Sequence, residues 1–272
     1  IDLPKRLETL GENVFNNCKS LVEVNMAEDI ALTVIPKSTF NYCSSLIEIK
    51  VAEGIIEIGD SAFNMCSELK KVELPSTLKI LGSDVFASCN SINELTIADG
   101  NEFYTTIDGV LYSNNLDGQP DQLLYCPVSN GGDENNTVNV PATVTTVASK
   151  AFYNNTKIKR IIFADHEGVD LTIGANAFGW AGALVEVKLP DGITKIGRMT
   201  FQNTYLRELE IPKSVIKIEN EAFYGSGLLS VITFEEGEDD LVIEDAKGST
   251  GAYSSAYSPF AYCYSLKEID LP

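Results

Sequence analysis

Six cysteines, one histidine and a recurring glutamate are the side chains through which this 272-residue sequence could do chemistry. Cys18, Cys43, Cys66 and Cys89 fall at intervals of 25, 23 and 23 residues. A zinc site wants close pairs such as Cys-x-x-Cys, and none is present. Asn155, Ala181 and Thr204 stand at the same position further along. Small substitutes of this kind point to a buried column of free thiols packing as small apolar groups. Cys126 and Cys263 lie outside that column or at its end, and either could be free.

His166 is alone, which excludes multi-histidine metal sites, and it follows Phe163-Ala164-Asp165 in what reads as a surface loop. No G-x-S-x-G, H-E-x-x-H or P-loop pattern occurs. Ser113 to Gly118 partly resembles a calcium loop, but it lacks the first acid and has Leu124 where a bidentate Glu should stand. It reads as a solvated hairpin turn. The run Glu235-Glu236-Gly237-Glu238-Asp239-Asp240 could collect calcium weakly but reads as a solvated loop. No metal and no cofactor are expected.

The elements that must position these residues come from a repeat. A small residue and Phe, followed three residues later by Cys or a small residue, recur with Phe at 15, 40, 63, 86, 152, 178, 201, 223 and 260. Most intervals are near 23, too short for a helical pair, which needs about 33 residues. Each copy continues Leu-x-x-Val-x-Leu, as in Leu69/Val72/Leu74 and Leu184/Val187/Leu189. Apolar residues two apart share one face of a strand. A second apolar pair precedes the Phe, as in Leu78/Leu81 and Ile193/Ile196. One coil cannot bury these groups alone, but stacked coils can. The expectation is a mainly β repeat solenoid with short parallel strands, a single unit over 1–272 of about nine repeats.

Two insertions interrupt it. Residues 98–139 are expected to form a hairpin and loop outgrowth, with strands Ile107 to Tyr112 and Gln122 to Cys126 about a turn at Ser113 to Asp121. Asp245 to Ser258 is expected to be a surface loop with two or three exposed tyrosines. The chain opens Ile-Asp-Leu-Pro and closes Ile-Asp-Leu-Pro, the same phase of the repeat, as a piece of a longer protein would.

The residue just before the Val of each strand is Glu23, Glu48, Lys71, Glu94, Arg160, Glu186, Glu208, Val231 and Glu268. In a parallel stack these outward side chains sit about 4.8 Å apart, so like charges repel. One reading is a solubilising exposed face. The other is a recognition strip of Glu23, Glu48, Lys71, Glu94, Arg160, Glu186, Glu208 and Glu268, suited to a basic or mixed-charge protein. A glycosidase would need paired carboxylates in a cleft, and the row supplies carboxylates without a pocket or a distinct acid. No enzyme is expected.

With 20 basic and 39 acidic residues the net charge is −19 at pH 7, which repels nucleic acid and anionic membranes alike. No apolar run approaches the roughly 18 residues of a membrane span.

The pattern Ile-Pro-x-x-Val-Thr-x-Ile-Gly-x-x-Ala-Phe-x-x-Cys-x-x-Leu-x-x-Val-x-Ile-Pro resembles the BspA-like leucine-rich-repeat family over nearly the whole chain. Tyr104 to Tyr112 and Leu123 to Pro127 resemble a hairpin of that family. Pro36 replaces the motif's Gly, and the unit around Leu206 is one residue short. The resemblance implies a right-handed leucine-rich-repeat superhelix with an inserted hairpin. It also implies a bacterial extracellular or cell-surface adhesin-like module that binds host matrix or other microbial surface proteins. The expected state is a monomer without membrane insertion. The alternative is a structural spacer that projects other domains.

Overall fold

The computed structural model describes residues 1–128, 132–165, 170–237, 240–244 and 257–270. His166, Glu238, Asp239 and 245–256 of the second expected loop lie outside the described residues. The fold is a mainly β parallel solenoid, and no helix occurs among the described residues. The contacts divide it into two units. The first holds Ile1–Pro120 and Tyr125–Gly131, the second Asp121–Leu124 and Gly132–Pro272.

In the first unit the Leu-x-x-Val-x-Leu segments form one five-stranded parallel sheet: Asp2–Leu3, Glu23–Met26, Glu48–Lys50, Lys71–Leu74 and Glu94–Ile97. Val24, Ile49, Val72 and Leu95 point inward, at 4 % exposure or less. The pairs before the Phe make a second parallel sheet, Val34–Ile35, Glu57–Ile58 and Ile80–Leu81. The second unit repeats the plan with Thr137–Val140, Arg160–Phe163 and Glu186–Lys188 in one sheet, and Glu208–Ile211, Val231–Phe234 and Glu268–Asp270 in another.

The Phe residues stack ring on ring. Phe15, Phe40, Phe63 and Phe86 lie 5.3 to 5.9 Å apart and nearly parallel in the first unit. Phe152, Phe178, Phe201, Phe223 and Phe260 lie 5.1 to 5.4 Å apart in the second, with Phe152 tilted 38° from Phe178 and the later rings more nearly parallel. The backbone on either side of each ring alternates in hand. Ser38 and Tyr42 flank Phe40, and Ser61 and Met65 flank Phe63, all with φ between 55° and 62°. This alternation aims peptides along the stack: Phe40 N–H donates to Ala62 O at 2.8 Å, and Phe63 N–H to Val85 O at 3.1 Å. Most of the residues carrying the positive φ are not glycine, so neither glycine content nor hydrophobic period marks them.

The glycine of the motif has a steric cause. A Cβ at Gly82 would sit 2.4 Å from Asp60 N, and one at Gly174 2.4 Å from Ser149 N. Adjacent coils touch there through bare backbone.

None of the six cysteines forms a disulfide. Cys43, Cys66 and Cys89 are fully buried, and each thiol donates to the Phe carbonyl one coil back, at 3.0 to 3.2 Å. Burial pushes the Cys43 thiol up to about 12. Cys18, in the outermost coil of the column, is exposed. Ser226 keeps the carbonyl bond, its Oγ donating to Phe201 O one coil back at 2.6 Å, whereas Thr204 Oγ1 donates to Phe201 O of its own coil at 3.2 Å.

The inserted segment carries a turn that the sequence reading did not name. Its tight turn is at Asp108-Gly109, between antiparallel strands Tyr104–Ile107 and Val110–Asn114 with Ile107 opposite Val110. Both turn residues have positive φ, 49° and 75°, as a two-residue turn matching strand twist requires. The stretch expected as a long turn closes more tightly, because Asn115 N–H donates to Gln119 O and its Oδ1 accepts from the Asp117 and Gln119 amides. Much of the rest serves the coils. The Tyr125 ring packs 5.9 Å from Phe86, and Leu123 pairs in register with Val147. Thr137–Val140 is a further strand of the main ladder, with Thr137 opposite Arg160.

Candidate binding face

The structure brings the outward glutamates into rows. Glu23 is paired opposite Glu48, Glu48 opposite Lys71, and Lys71 opposite Glu94. In the second unit Arg160 is opposite Glu186, and Val231 stands between Glu208 and Glu268. Thr137 joins the second row, a position that sequence reading missed because no Leu-x-x precedes it. Glu23, Glu48, Glu94, Glu186, Glu208 and Glu268 are exposed; Lys71 and Arg160 are half-buried.

The two rows are neutralised differently. Lys71 Nζ lies 3.3 Å from Glu94 and 2.8 Å from Glu73, and this pairing holds the Glu73 carboxyl below its usual range. Arg160 Nε instead donates to Thr137 Oγ1 at 3.0 Å. Among the described residues Glu186, Glu208, Glu210 and Glu268 enter no ion pair. The second unit's other ladder is the opposite case. There Lys217 lies 2.7 Å from Glu244, Lys195 lies 3.1 Å from Glu219, and Arg198 lies 2.7 Å from the buried Glu221.

The expectation that this face has no pocket is corrected. A groove of about 530 Å³ runs over Glu186, Lys188, Glu208, Glu210, Thr233 and Glu235, floored by Val185, Leu189, Pro212 and Val231. A smaller one of about 230 Å³ lies over Glu23, Asn25, Glu48, Lys50, Lys71 and Glu73. Among the described residues no group of three or more His, Cys, Asp or Glu side chains is arranged to hold a metal ion. No helix among them is long and apolar enough to cross a membrane.

Sequence reading also missed an aromatic cluster. Tyr257 packs against Tyr224 and Tyr262 with ring centroids 4.9 and 5.5 Å away, and Tyr264 lies 6.0 Å from Tyr262 at 81 % exposure. Its signals were the tyrosine-rich stretch that ends near Tyr257 and the placement of Tyr262 and Tyr264 on either side of Cys263.

The profile of the BspA type leucine-rich repeat region matches six copies in this chain, over residues 1–116 and 171–242. The chain belongs to the BspA-type leucine-rich repeat family. Proteins of this family are typically found at the cell surface, and the repeat fold is generally non-catalytic. A leucine-rich cell surface protein of Faecalibacterium prausnitzii superposes with a TM-score of 0.60 at 21 % identity, over 99 % of this chain and 78 % of that one. The pneumococcal vaccine antigen PcpA gives a TM-score of 0.70 at 26 % identity, over 90 % of this chain but 61 % of its own. A leucine-rich repeat protein of Eubacterium ventriosum gives 0.58 at 16 % identity, over 82 % of this chain and 69 % of that one. No curated protein matches the chain. A BspA-type repeat array of this kind is consistent with a protein-interaction module.

Proposed function

We propose that this BspA-type leucine-rich repeat chain is a non-catalytic protein-binding module of a bacterial surface or secreted protein, and that it works as an adhesin. Its targets are host matrix proteins or proteins on other microbial surfaces. The observation that carries the reading is the register of the glutamate rows. A solenoid stacking like charges about 4.8 Å apart gives up stability that alternating charge would keep. In the second unit's other ladder Lys195 and Lys217 also stand opposite each other, but Glu219 and Glu244 neutralise them. Glu23 opposite Glu48, and Glu186, Glu208 and Glu268 without an ion pair among the described residues, are therefore features with a cost, and a basic or mixed-charge partner would offset it.

Binding of the purified chain to immobilised fibronectin and fibrinogen at two salt concentrations tests this. The wild-type chain should bind saturably and more weakly at high salt. A variant carrying Glu48→Lys, Glu94→Lys, Glu186→Lys and Glu208→Lys should lose most of that binding. A folded chain that binds neither protein nor any other surface protein favours the spacer reading.

A further inference from the structure

The main sheet of the second unit is split. Glu186–Lys188 and Glu208–Ile211 belong to different sheets, although they are successive strands of the ladder. Neighbouring strands elsewhere are joined by backbone bonds at these positions. Val51 N–H donates to Glu73 O at 2.9 Å, and Glu186 N–H to Lys159 O at 3.2 Å. Their counterparts at the split, Leu189 to Glu210 and Glu208 to Val185, are not made.

The cause is in the sequence. From Phe to the next ladder Leu is six residues in the coils of Phe63, Phe178 and Phe223, but five from Phe201 to Leu206. The turn amide that Leu69 donates to Cys66 O, and Leu184 to Ala181 O, has no counterpart at Leu206. The shorter link holds Glu208–Ile211 away from its neighbour, and the 530 Å³ groove lies over this split. That volume is in the roughly 300–1,000 Å³ range of sites that hold small ligands.

We infer that the split between Glu186–Lys188 and Glu208–Ile211 is a docking slot for an extended, arginine-bearing segment of another protein. Three features of the groove select this occupant. Glu208 and Glu210 are two apart on one strand, so they meet side chains two apart on an extended chain, about 6.8 Å along it. Val185, Val231 and Pro212 offer apolar surface to an arginine stem, while Glu186, Glu208, Glu210 and Glu235 line the groove with four carboxylates against the one cation Lys188. Residues of the two strands approach within 8 Å, too close to admit a third strand between them, so the segment lies over the split, where the Leu189 and Glu208 amides lack a ladder bond. The inference rests on the binding reading above but concerns one part of the face.

The test is fluorescence anisotropy of a labelled six-residue peptide alternating arginine and valine, titrated with the full chain, beside a glutamate–valine control. Saturable binding of the arginine peptide alone is expected. It should weaken at least about tenfold with Glu208→Lys plus Glu210→Lys, and less than about threefold with Glu23→Lys plus Glu48→Lys. Insertion of one alanine between Thr204 and Tyr205, which restores the common coil length, should also weaken it about tenfold or more. If that insertion does not fold, the lysine pairs still decide. No saturable binding, or equal loss from both lysine pairs, overturns the slot. Loss of the slot would leave matrix-protein binding through the wider rows to stand or fall on its own assay.

Discussion

The main sheet of the first unit runs unbroken through five strands, whereas that of the second is cut between Glu186–Lys188 and Glu208–Ile211. The side-chain chemistry of the two is nearly the same. Both bury a Phe column, and both direct a glutamate row outward. What differs is coil length: the first unit keeps Phe-to-Leu at six residues, and the second drops one at Phe201. At this coil a change in residue count accompanies the loss of hydrogen bonding, while the kind of residue in the core is kept. One deletion can open a binding groove and leave the hydrophobic stack intact.

The largest expected effect follows from what the units share. Phe63 and Phe201 are both fully buried between two rings. Phe63→Ala and Phe201→Ala should each cost roughly 3–5 kcal/mol, read from urea unfolding. A loss under about 1 kcal/mol at Phe201 would show that the split also loosens the core. Next comes the alanine insertion between Thr204 and Tyr205. By restoring two ladder bonds it should raise stability by about 1–2 kcal/mol. A fall would mean that the split does not arise from the missing residue.

The smallest effect is with pH. Most of the carboxyls held low between coils lie in the first unit. The Ser76 and Ser83 backbone amides hold Glu53 and Asp60 below their ordinary values of 4.5 and 3.8. In the second unit Lys217 holds Glu244 down in the same way. A depressed folded value gives stability that is present above the ordinary value and lost as pH falls through the folded one. Urea midpoints should therefore be flat from pH 7 to about 5 and fall below about 4.5. Glu53→Gln and Asp60→Asn should flatten that fall more than Glu244→Gln does. Equal flattening by all three would remove the contrast between the units.

The ladders were legible in the sequence because Phe, Leu and Val recur at fixed spacing. The pairing of Glu23 with Glu48 and of Glu208 with Val231 follows from that spacing alone. The turn at Asp108-Gly109 also has a sequence signal, the Asp-Gly pair between alternating apolar residues. Thr137–Val140 was hidden because a polar approach replaces its Leu-x-x. The one-residue shortfall at Leu206 was visible as a number, but its consequence was not. Whether a short link bends or breaks a ladder depends on backbone geometry that residue types do not encode.

Amide exchange at single-residue resolution on the full chain tests the central claim, that one short coil splits the sheet and leaves edges for a partner. Leu189 and Glu208 should exchange much faster than Val51 and Glu94, whose amides are bonded to Glu73 O and Lys70 O. Addition of the arginine–valine peptide should slow Leu189 and Glu208 and leave Val51 and Glu94 unchanged. Equal protection of all four amides in the free chain would contradict the account.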